Sequence, residues 1–221
     1  MKTSHACRLI AVLCVGLAAV FSVTATRASI VENASRMMTA GDFDGDGINE
    51  VAYVLSSGEI FVHDFNDRRG SGALPGVTAQ AVTAADLDGN GVPEIAFVNA
   101  ATQQLQSYSA ATQSFTTHPF PSGHSSFSTL SAGDVGALPG DELMVVASGV
   151  PFIRQTDGSY QSTPGSGVVK LASGELISGN AGDEFLVRNS VGAPYLYNYA
   201  TNSYSSVGGS IDQVFAISFG I

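Results

Sequence analysis

A chain of 221 residues carrying 19 acidic side chains against 9 basic ones, a net charge of −10, is poorly suited to nucleic acid or an anionic membrane surface. Its apolar runs are short and separated by Gly, Ser, Asn and Asp, with no helix-period stretch, which is an all-β composition. Once a leader is set aside, about 190 residues remain, enough for one sizeable core.

The chain opens as a processing signal. Lys2 and Arg8 make a basic start, Leu9 to Val23 is an apolar run short for a membrane span, and small residues follow up to Ala25 and Ala28. The expectation is a signal peptide over residues 1–28, cut after Ala25 or Ala28; an uncleaved anchor is the rival reading. Ala11-Val12-Leu13 lacks the small residues that lipoprotein processing at Cys14 would need. Both cysteines, Cys7 and Cys14, fall inside this segment, so the exported chain has no disulfide framework and something else must restrain its loops. Removing Lys2, Arg8 and Arg27 leaves 6 basic residues against 19 acidic ones, a net charge of −13. No later segment is apolar enough to span a membrane, and the expected location is secreted, periplasmic or cell-surface. Asn33-Ala34-Ser35 is a glycosylation acceptor only in a eukaryotic source.

The first distinctive element is Asp42-Phe43-Asp44-Gly45-Asp46-Gly47-Ile48-Asn49-Glu50. Oxygen-bearing side chains stand at positions 1, 3, 5 and 9 of nine, with glycines at 4 and 6. Hard divalent cations take six to eight oxygens, and Asp42, Asp44, Asp46, Glu50 and the carbonyl of Ile48 form such a set. An EF-hand would need a Glu at position 12, where Tyr53 stands, and the flank Glu50–Leu55 reads as a strand. The loop is therefore expected to join two strands.

Four copies of this unit follow one another. Asp86, Asp88, Asn90, the carbonyl of Val92 and Glu94 repeat the first set. A third copy runs from Asp134 to Glu142 and a fourth from Glu175 to Glu184, the closing glutamates lying 44, 48 and 42 residues apart. That period fits a four-stranded propeller blade. The expectation is a β-propeller of about four four-stranded blades over residues 29–221. Its repeats are near 34–76, 77–125, 126–166 and 167–209, with a partial fifth at 210–221. The ring is either incomplete or closed by the strand-like segment Ile211–Ile221. In the first repeat the outer strand reads as weak or missing, because Asn66–Gly76 is a polar loop with Arg68 and Arg69.

The loops differ in what they offer a cation. Loop three has Gly136 and Leu138 at positions 3 and 5, and loop four has Leu176, Ile177 and Ser178 between its ends, so both are expected to keep the hairpin without an ion. In loop one, carboxylates about 5 Å apart repel by about 3 kcal/mol per pair at an effective dielectric of about 20, which favours a bound cation. Flexible all-oxygen cages suit calcium over magnesium, giving two expected Ca²⁺ sites. With affinities of about 0.1–1 mM, roughly 2 mM calcium adds about 0.6 to 1.8 kcal/mol per site, a structural role.

The segment Gly41–Ala52 resembles the FG-GAP and VCBS repeats of integrin α-chain heads, bladed fungal lectins and many secreted bacterial proteins. The resemblance implies a β-propeller with calcium on the two ligand sets just named. The leading functional expectation is a non-enzymatic, calcium-stabilised exported module binding an extracellular protein or glycan. Tyr195, Tyr197, Tyr199 and Tyr204 are a candidate sugar platform, although alternating tyrosines more often pack one face of a strand. A polysaccharide hydrolase or lyase is the alternative, but the chain has no nucleophile elbow, HExxH or Cys–His pair, and His63, His118 and His124 are scattered. A third reading is a subunit of a surface assembly, self-associating through open sheet edges.

Overall fold

The structure is a computed structural model that describes residues 38–65, 71–136, 138–177 and 182–209. The chain divides into two units, residues 1–35 and 36–221, and every described residue belongs to the second. The expected leader, both cysteines, Asn33, the Arg68-Arg69 pair and the expected closing segment 211–221 lie outside the described residues.

All regular structure among the described residues is strand. A first group holds β1 (Met38–Gly41), β2 (Glu50–Val54) and β3 (Glu59–His63), followed by the long β4 (Gly72–Ala85). Then come β5 (Glu94–Asn99), β6 (Leu105–Ser109) and β7 (Ser114–Thr117). The third group is β8 (Phe127–Gly133), β9 (Glu142–Ala147), β10 (Val150–Arg154) and β11 (Tyr160–Ser162). The last is β12 (Val168–Gly174), β13 (Glu184–Asn189), β14 (Pro194–Asn198) and β15 (Ser203–Ser206). They form three antiparallel meanders of seven, four and four strands, none closed on itself.

The seven-stranded sheet corrects the reading of the first repeat. Its outer strand is present, supplied by the first part of β4: Gly72 and Ala73 pair with Val62 and Phe61. The second part, Ala79 to Ala85, pairs with β5 as the inner strand of the next repeat. One strand thus serves two repeats, and it bends at Gly76, whose φ of 72° is cheap only for glycine. Pro75 and Gly76 read as loop residues in sequence because an ordinary strand tolerates neither in its interior.

The repeats otherwise share one plan, down to a register shift at the same place in each later inner strand: Ala79/Ala81, Phe127/Thr129 and Val168/Lys170. Such a bulge bends and twists the strand on its way inward. Inner strands of successive repeats lie side by side, β1 against β4 within the first sheet, and β4 against β8 and β8 against β12 across sheets. The Thr39 hydroxyl accepts from the Ala84 amide at 2.8 Å, and the Ser131 and Ser173 hydroxyls meet at 2.8 Å.

Three apolar clusters fill the spaces between successive repeats. Phe43, Ala52, Ile60, Ile95 and Phe97 form the first; Leu87, Ala96, Val98, Phe127, Leu143 and Val145 the second; Met144, Val146, Phe185, Val187 and Tyr197 the third. Alternate residues of β5 and of β9 enter different clusters, so both faces are buried and these strands read as unbroken apolar runs. The period-two tyrosines belong here. Tyr197 is buried in the third cluster, with Tyr195, Tyr199 and Tyr204 packed against it.

Candidate metal centre

Loops one and two are each wound around their first aspartate. In loop one the Asp46 and Gly47 amides donate to the two Asp42 oxygens at 2.9 and 2.8 Å, and Asp46 N–H also reaches Asp44 at 3.2 Å. Loop two repeats this bond for bond: Asn90 and Gly91 donate to Asp86 at 3.1 and 2.8 Å, and Asn90 reaches Asp88 at 3.2 Å. Gly45 and Gly47, like Gly89 and Gly91, hold positive φ between 72° and 88°, which turns these amides inward. Position 2 plugs the loop into the core, with Phe43 and Leu87 only 2% and 6% exposed.

A terminal glutamate closes every loop, at position 9 in the first three and position 10 in the fourth. Glu50 Oε2 accepts from the Phe43 amide at 2.9 Å and Glu94 Oε2 from Leu87 at 3.0 Å. In loop three Glu142 Oε2 accepts from Val135 and Gly136, and in loop four Glu184 Oε2 accepts from Leu176 and Ile177. Loops three and four therefore keep the clasp where the acidic residues of the loop interior have changed. Sequence reasoning assigned Glu50 and Glu94 to metal alone and missed this second duty, although glutamate recurs at that place in all four copies.

Two groups of carboxylates converge. One oxygen from each of Asp42, Asp44 and Glu50 lies within 4.8 Å of the others, and the same holds for Asp86, Asp88 and Glu94. Asp46 is not in the first group; its Oδ1 accepts from the Ile48 amide at 2.9 Å, as Asn90 Oδ1 accepts from Val92 at 2.7 Å. Position 5 thus stiffens the turn that presents the position-7 carbonyl. Glu50 is 3% exposed, and its Oε1 is buried with no hydrogen-bond partner. Burial, and then the negative charges of Asp44, Asp42 and Asp64, push its carboxyl above the ordinary range against the pull of the Phe43 amide. Glu94 is raised in the same way, by burial and then by Asp88 and Asp86.

These residues fit a hard cation. Glu50 Oε1 lacks a partner that a cation at the meeting point of three carboxylates would supply, and each carboxylate oxygen has a lone pair left beyond its amide. Glu142 Oε1 in loop three is also buried and unpartnered, but it abuts Gly136, where any Cβ would overlap it, and among the described residues no group of carboxylates converges there.

Neighbouring loops are joined laterally. Pro93 of loop two packs on Gly41, where an added Cβ would lie 3.0 Å from its ring. Between loops two and three the contact is polar: the Asp141 amide donates to the Asp86 carbonyl at 2.7 Å, and the Asp86 amide donates to Asp141 Oδ2 at 2.8 Å. The Asp183 amide donates likewise to the Asp134 carbonyl at 2.8 Å. The Gly-Asp-Glu endings at 140–142 and 182–184 carry this signal in sequence, where position 8 is proline in loop two.

The described histidines do not converge. His118 is 7% exposed between Arg154 Nη2 on Nδ1, at 3.1 Å, and Ser107 Oγ on Nε2, at 3.0 Å. Arginine can only donate, so Nδ1 accepts and the ring carries its proton on Nε2. Burial, then the nearby guanidinium, lowers the His118 pKa to about 4. His63 meets Ser71 Oγ at 3.1 Å on an exposed edge, and His124 packs against Phe152. Tyr195 and Tyr204 line an apolar cleft of about 220 Å³ with Val168 and Val187.

Loops of this geometry lie between the first two strands of successive repeats of an all-β protein. Residues 42–97 match the FG-GAP-like repeat family, so the chain carries a repeat of that family over its first two loops. No curated protein sequence matches the chain. Among solved structures it is similar to BBS1N in complex with ARL6DN, soaked with mercury, at 15% identity and a TM-score of 0.53. That alignment covers 78% of this chain and 52% of the other. The lead-soaked form gives 14% identity, the same TM-score, and coverage of 78% and 55%. The chain spans about half the length of these structures, and the likeness is one of fold.

Proposed function

We propose that this protein is an exported, calcium-stabilised, non-enzymatic binding module of the propeller kind, whose partner is an extracellular protein or glycan. The reading of four blades, in a small or incomplete ring, belongs to the same proposal. The observation that carries the calcium part is the convergence of Glu50 with Asp42 and Asp44, in a glutamate that is buried and keeps one carboxyl oxygen without a hydrogen-bond partner. A bound Ca²⁺ would neutralise these charges. Asp42, Asp44, Asp46, Glu50 and the Ile48 carbonyl would hold it in loop one, and Asp86, Asp88, Asn90, Glu94 and the Val92 carbonyl in loop two, with Asp46 and Asn90 also bracing each turn.

A protein partner is favoured over a glycan because the candidate tyrosines are committed to packing, and because a similar solved structure is itself a complex with another protein. Calorimetric titration of the purified chain tests the metal reading: two equivalents of Ca²⁺ are expected, and no saturable heat overturns it. A sugar array tests the partner class. Specific glycan retention, lost on Tyr195→Ala, overturns the preference for protein.

A further inference from the structure

We propose that Asp141, a residue of the third loop, is a positioning residue for the second cation site and ties its occupancy to the docking of the third blade on the second. The proposal rests on the metal reading above. Its basis is the reciprocal pair between Asp141 and Asp86, residues 55 apart in sequence. Asp86 stands at position 1, and both its side-chain oxygens already organise loop two through Asn90 and Gly91. Its main chain is gripped from the side, the carbonyl by the Asp141 amide and the amide by the Asp141 carboxylate. The Asp86 peptide groups thus cannot shift without breaking bonds to the neighbouring blade.

Loop one has no such grip. At the equivalent place stands Pro93, which has no N–H and no carboxylate and meets Gly41 through its ring alone. The two candidate sites have the same internal hydrogen bonds but different lateral support. Gly140 makes the grip possible: an added Cβ there would lie 2.5 Å from the Asp86 carbonyl oxygen.

The test uses two single-site proteins of the full chain, Asp42→Ala to leave loop two and Asp86→Ala to leave loop one. Asp141→Ala is added to each, and Ca²⁺ affinity is read by calorimetry. A lost charge-assisted hydrogen bond is expected to weaken loop two by about tenfold and leave loop one unchanged. Asp141→Asn, which keeps an acceptor for the Asp86 amide, should restore most of the affinity. No change at loop two, or equal weakening of both loops, overturns the proposal while leaving the metal reading intact. Absence of Ca²⁺ binding by the unmodified chain overturns both. Should Asp141→Ala fail to fold, amide exchange on the unmodified chain decides. Ca²⁺ should slow the Asp141 amide more than the Asp183 amide, and equal slowing overturns the proposal.

Discussion

At the scale of single residues, the closing glutamates separate two duties that sequence pattern merges. Glu142 clasps its loop with no converging carboxylates, so Glu142→Ala leaves two inward-facing amides without their acceptor. A loss of about 2–4 kcal/mol is expected in urea unfolding, the same with and without calcium. Glu50→Gln keeps an acceptor for the Phe43 amide but removes a charge from the cation cluster. It should cost little stability in chelator and abolish one of the two calcium equivalents in calorimetry. His118 gives a pH signature. The fold keeps it neutral down to about 4, whereas the unfolded chain protonates it below 6.5, so the unfolded state binds more protons in between. Its contribution is full above pH 6.5 and is lost as pH falls towards 4, by an amount on the order of 3 kcal/mol. An NMR titration of the ring should show no midpoint near 6.5.

At the scale of elements, the strands were legible because their physics is local. The flank Glu50–Leu55 reads as a strand, and the structure places Glu50–Val54 in β2. Both loops flanked by glutamate and glycine signals fall between strands as expected. The outer strand of the first repeat was not legible, since β4 breaks two strand rules at Pro75 and Gly76 and is held by pairing on both sides. Spacing shows which side chains face inward, whereas the capping of the Ile48 amide by Asp46 Oδ1 is a local contact that spacing alone does not give. The Asp141–Asp86 contact depends on how two blades abut, which no single repeat encodes. Phe97 tests the packing of the first cluster. It is fully buried, and Phe97→Ala should cost about 3–5 kcal/mol in chemical denaturation.

At the scale of the molecule, the proposed calcium would compete with protons for the same buried carboxyls. Burial raises Glu50 and Glu94 above their ordinary 4.5, so the ion-free fold holds protons that the unfolded chain releases. Their contribution to the ion-free protein's stability therefore falls as pH rises above about 4.5, and a cation reverses this. With two sites filled at about 2 mM calcium, Tm should rise by about 3–10 °C at pH 7, and by less at pH 4.5. Equal shifts at the two pH values would contradict the assignment of these glutamates.

The shared strand β4 has a mechanical consequence. The first two repeats form one uninterrupted hydrogen-bonded ladder, while the later sheets follow across the connections 118–126 and 163–167 and, among the described residues, share no strand pairing with it. A chain stretched from its ends should therefore yield in unequal steps, the front pair of sheets giving way as one large event and the rear sheets singly. Both candidate ion loops lie in that front pair, so calcium should raise the force of the large step and leave the small ones nearly where they were.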